Sequence, residues 1–132
     1  MLNALMNFAS YFIPALLLAL LFMVLYERLT PYRELTEIQE GNLAAALAFG
    51  GALLGFALPV ASALAHSVSL MDFLLWGLIA ALVQLGLVIA LRLSPFGRAA
   101  YLGIAARNTA MGTALAALHL AGGLLNAASM VY

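Results

Sequence analysis

From Asn42 to Ala65 the chain carries no charged side chain, and this run is long enough to cross a bilayer. Within it Ala44, Ala48, Gly51, Gly55, Pro59 and Ser62 recur at steps of three and four. On a helix they fall within roughly 80° of one another, so one face is close to bare backbone. Helices in lipid associate by close packing, which such a face permits. The rest of the chain is built alike. It is 67% hydrophobic and 8% charged, with mean hydropathy +1.12; soluble domains run at about 45–50% and about 25%. The chain reads as a small polytopic membrane protein.

Three further segments have spanning length: residues 8–26, 72–91 and 108–131. The expected fold is all-α, with four transmembrane helices. All five basic residues are arginines, Arg28, Arg33, Arg92, Arg98 and Arg107. They lie in or beside the first and third connections, 27–41 and 92–107, while the second connection and both termini have none. Arginine-rich loops stay in the cytoplasm, so both termini are expected outside, in the periplasm of a bacterial inner membrane. No basic residue precedes the first apolar run, so no cleaved signal peptide is expected.

Each arginine-rich connection reads as a short interfacial helix. Thr30-Pro31 and Ser94-Pro95 resemble helix starts, a capping hydroxyl followed by proline. All four Glu lie in or beside the first connection. A charge run of this kind is ordinarily a solvated face; a cytoplasmic protein docking at residues 30–41 is the alternative. Asn42 and Asn108 are expected N-caps. Ser69 and Asp72 have capping-box spacing.

The chain also repeats itself. Arg28-Leu-Thr-Pro-Tyr32 matches Arg92-Leu-Ser-Pro-Phe96, and Asn42-Leu-Ala-Ala-Ala matches Asn108-Thr-Ala-Met-Gly. The halves 1–65 and 66–132 thus read as tandem hairpins of one polarity, related by an axis along the membrane normal. Small-xxx-small recurs as Gly51/Gly55 and Ala117/Ala121. Together with Gly122 and Gly123 these faces exceed what one internal contact needs, so a homo-oligomer is expected.

Polar groups inside a membrane are costly and call for a reason. Gln84 lies about 18 Å along a helix from Asp72, and His119 about 16 Å from Asn108, so both fall near the midplane. An interhelical hydrogen bond explains them; a pathway between subunits, lined by Gln84, Asn126 and His119, is the alternative. The chain has no cysteine. It has no phosphate-binding glycine loop, nucleophile elbow or zinc-protease motif. His66 beside Asp72 is too thin a set for zinc. No enzyme activity, cofactor or metal is expected, and the zero net charge offers no nucleic-acid footprint.

Several of these residues carry a resemblance. Thr30-Pro31, Glu34, Asn42 to Phe49, Gly51-Ala-Leu-Leu-Gly55, Pro59, Ser69, Asp72, Trp76-Gly77, Gln84, Arg92 and Gly122 to Met130 resemble the bacterial inner-membrane family known as domain of unknown function 350, the YjfL-like proteins. The resemblance covers nearly the whole chain. It implies four spans from a duplicated hairpin, no assigned activity, and a setting alongside phage-shock-type envelope-stress proteins. His119 is not part of that pattern, whereas Gln84 and Asn126 are. The function expected is an assembly or scaffold module of the membrane, with a small channel or transporter as the rival.

Overall fold

The computed structural model describes residues 1–130. Among the described residues there are six helices and no strand: α1 (Leu2–Leu29), α2 (Glu34–Gln39), α3 (Leu43–His66), α4 (Leu70–Leu93), α5 (Pro95–Ala105) and α6 (Thr109–Ser129). Of these, α1, α3, α4 and α6 are long and apolar enough to cross a membrane. The fold is the all-α, four-span class. The expected end of the last span at Val131 lies outside the described residues.

Boundaries follow from local chemistry. Asn42 caps α3, accepting from the Ala45 N–H, and Asn108 caps α6, accepting from Ala110 and Met111. Ser69 caps α4 through the Asp72 N–H, while the Asp72 carboxylate accepts from Val68. Ser94 caps α5 ahead of Pro95. The Thr30-Pro31 expectation is corrected. The Thr30 hydroxyl donates to the Glu27 and Tyr32 carbonyls, closing α1. Helix α2 starts only at Glu34, with Arg33 as its N-cap. The extended stretch between them carries Tyr32 over to the Tyr101 ring, 6.2 Å away. Just before each asparagine cap the backbone turns left-handed, at Gly41 (φ 82°) and at Arg107 (φ 63°). Arg107 Nη2 donates to the Glu40 carbonyl at 3.0 Å.

The core is the long contact of α3 with α6. Ala44 and Ala48 are buried, as are Gly51, Gly55 and Pro59. A methyl group added at Gly112 would collide with Ala44, one at Gly51 with Ala116, and one at Gly123 with the Gly55 carbonyl. The α6 side of this seam is therefore Gly112, Ala116, His119 and Gly123. Ala117 and Ala121, expected as a packing face, are exposed. Ala117 sits one residue, about 100°, round the helix from Ala116, and that step turns it outward. Gly122 faces Leu87 of α4. Helix α1 is peripheral: Ala15, Phe22 and Tyr26 are its buried residues, with Phe22 stacked on Phe56 at 4.5 Å.

Because the seam is backbone against backbone, it cannot yield by rotating a side chain. Gly123→Ala is expected to destabilise the protein by about 1–3 kcal/mol, the usual cost of overpacking, seen as a lower melting temperature in detergent. Gly50→Ala, where nothing lies within 4 Å of the added methyl, is expected to leave melting unchanged or slightly raised.

Candidate functional site

Burial in this fold is mostly apolar, and several of the polar exceptions form one connected set. Glu34, Gln84 and His119 are all 0% exposed, as is Tyr26. Gln84 comes from the middle of α4 and His119 from α6, and the two meet across the bundle. Gln84 Nε2 donates to the His119 carbonyl at 3.2 Å and stands 3.4 Å from His119 Nδ1. With an amide donor facing Nδ1, the ring proton is assigned to Nε2, and Nε2 has no partner; neither does Gln84 Oε1. Gly55 makes the room, since a methyl there would strike the His119 carbonyl and come within 2.7 Å of Gln84 Nε2.

Below this pair, Tyr26 sets its ring edge-on to the His119 imidazole, centroids 5.8 Å apart. Tyr26 in turn adjoins Glu34, whose carboxylate is enclosed at the start of α2. The Tyr26 and Tyr32 hydroxyls act on this carboxylate without closing a hydrogen bond of ordinary geometry. Burial pushes the Glu34 pKa from 4.5 up to about 7; Tyr32 and Tyr26 moderate the rise, and the nearby Glu27 and Glu37 charges add to it. Burial and then the Glu34 charge also push Tyr101 up to about 12 and raise Tyr32. The set thus runs from Glu34, at the arginine-bearing end, through Tyr26 to His119 and Gln84. Towards the other end Val60, Ala63, Phe73 and Met130 fill the interior with apolar groups.

The remaining polar positions lie elsewhere. Asn126 is only partly buried, with Nδ2 unpartnered. Gln84 and His119 are enclosed within one chain. Helix α6 runs unbroken through Gly122 and Gly123. Asn42 is fully used: besides capping α3, its Nδ2 donates to Glu37 Oε2 and to the Ile104 carbonyl, each at 2.8 Å. The glutamate run is not one solvated face, because Glu34 turns inward and Glu37 is tied to Asn42. Among the described residues no group of three or more His, Cys, Asp or Glu side chains could hold a metal ion. Sequence reasoning named Glu34 only within the family resemblance and in the glutamate run, and missed Tyr26. The available signal was Tyr26 itself, a hydroxyl near the end of an otherwise apolar span.

A family model described as Domain of Unknown Function (DUF350) matches residues 1–130. The chain belongs to the DUF350 family. Within that family it is similar to the UPF0719 inner membrane protein YjfL of Escherichia coli (strain K12), 37% identical over 131 residues, covering 99% of this chain and 98% of that one. It also resembles the UPF0719 transmembrane protein YshE of Bacillus subtilis (strain 168), 39% identical over 75 residues, covering 57% of this chain and 56% of that one. No solved structure matches this DUF350 chain.

The Glu34 shift carries a sign for stability. The folded protein holds this proton up to about pH 7, the unfolded chain only to about 4.5. Between those values the folded state binds more protons, so stability falls as pH rises. The melting temperature is expected to drop as pH rises from 4.5 to about 7, and Glu34→Gln is expected to flatten the profile.

Proposed function

We propose that this DUF350 protein is a proton-handling module of the bacterial inner membrane, acting in proton-coupled transport. Glu34 takes up a proton at the arginine-bearing face, and Tyr26 passes it towards the His119–Gln84 pair at mid-depth. The observation that carries this reading is the buried set itself: the Tyr26 hydroxyl, both Glu34 oxygens, Gln84 Oε1 and His119 Nε2 are enclosed without hydrogen-bond partners. Buried polar groups are otherwise nearly always satisfied, and ionisable groups at membrane depth mark ion and proton routes. The half beyond Gln84 is apolar, so the set is a half-path, and complete transfer requires the helices to move. In this reading both termini face outward and the arginine-bearing loops face the cytoplasm.

The arrangement of helices supports two tandem hairpins, 1–65 and 66–132. Helix α1 lies on α4 and α3 on α6, each against its counterpart in the repeat.

Protein reconstituted in liposomes tests the proton reading. An imposed pH gradient is expected to collapse faster than in empty vesicles, and Glu34→Gln or Tyr26→Phe to slow that collapse about a hundredfold, the lower end of what a positioned acid or base contributes. Vesicles as tight as protein-free ones would sink the proposal.

The assembly reading retains one support. The glycines of α3 and α6 are used inside the chain, but Ala117 and Ala121 face outward on α6, a small-residue stripe free for a second copy. If the protein self-associates there, Ala117→Leu with Ala121→Leu is expected to shift cross-linked oligomers to monomer without lowering the melting temperature. Unchanged cross-linking would remove this interface.

A further inference from the structure

At the arginine-bearing end a groove of about 480 Å³ opens between the stretch after α1, the end of α4 and helix α5. Its walls include Tyr32, Arg92, Leu93, Arg98, Tyr101 and Leu102, and no carboxylate lines it. We propose that this groove holds an anionic phospholipid, its phosphate on the two arginines and its acyl chains along Leu93 and Leu102. This site adjoins the buried set, sharing Tyr32 and Tyr101 with the surroundings of Glu34, and its test reads lipid retention instead of proton flux.

Three observations lead there. The first is charge. Arg98 is exposed, and Arg92 commits only Nη1, which donates to the Leu29 carbonyl at 2.6 Å. A guanidinium has five N–H donors in a planar fork that matches phosphate, so donors remain on both residues. The second is hydrogen bonding. Tyr101 is 3% exposed, and its hydroxyl has no partner, whereas the Tyr32 hydroxyl acts on Glu34. Both residues line the groove, where a phosphate or glycerol oxygen would satisfy the Tyr101 hydroxyl. The third is apolar surface. Leu93 is 65% exposed and Leu102 76%, which suits acyl chains and not a free anion in water. Basic pockets between helices at the membrane boundary take acidic headgroups in this manner.

The test is native mass spectrometry on the full chain, released from micelles doped with equal amounts of phosphatidylglycerol and phosphatidylcholine. Phosphatidylglycerol is expected to be retained in preference. Arg98→Gln is expected to weaken that retention about fivefold, the share of one basic residue near a lipid surface, and Arg98→Lys to lose less. Tyr101→Phe, which keeps the ring, is expected to weaken it too. Arg98 is exposed, so Arg98→Gln should melt like the parent, and melting curves verify this. Equal retention of both lipids, or retention unmoved by Arg98→Gln, would overturn the proposal. So would displacement by glycerol 3-phosphate at equal concentration, which would make the ligand a soluble phosphate.

Discussion

The approach of two backbones, α3 and α6, sets the terms for everything else in this molecule. With Gly123 against the Gly55 carbonyl and Gly112 against Ala44, the helices meet without intervening side chains. Dispersion between close backbones is what lipid-embedded helices have to hold them, since the surrounding tails are as apolar as their own leucines. The glycine ridge converts weak forces into a seam by bringing many atoms within contact distance. The cost of glycine in a helix is largely one of backbone freedom in water. It weighs less where every backbone group must be hydrogen-bonded internally in any case.

This closeness also shapes the polar interior. Gly55 is at once part of the seam and the space into which Gln84 and the His119 carbonyl fit. The midplane pair is therefore fixed by the same contact that fixes the helices. Nearer the arginine-bearing end the seam ends in a different medium. There Glu34, at the start of α2, is shut in with tyrosines instead of facing water. A carboxylate so enclosed sits near neutrality in its titration, whereas the same side chain on a solvated loop would be charged throughout the physiological range.

Much of the fold was legible from residues alone. Uncharged runs of spanning length located the long helices, and hydroxyl or amide caps fixed where α3, α4, α5 and α6 begin. Two features were not legible. The phase of α6 was left open because its surface offers small residues all round: Ala116 and Ala117 are chemically identical, and only the position of Gly112 and Gly123 decides which faces α3. Glu34 was misjudged because a helix of six residues is too short for hydrophobic periodicity to assign an inner face. Its burial comes from Tyr26 and Tyr32, which lie close in sequence but are brought together by the extended turn after α1. The Gln84–His119 meeting could be inferred as possible from depth alone, since polar side chains at one level seek each other in hydrocarbon. That Gly55 would create their niche could not.

The two left-handed turns have a consequence for the order in which the chain is put together. At Gly41 the conformation is free of steric penalty, while at Arg107 a side chain occupies a region costing about 1–2 kcal/mol for L-residues. The Arg107 guanidinium reaches across to the Glu40 carbonyl, at the end of α2, and so offsets some of that cost with a partner from the earlier half. A later half emerging alone would have the strained turn but not its acceptor. The two halves are thus unequal: the first supplies a fixed point that the second leans on, and insertion from the N-terminus delivers them in that sequence.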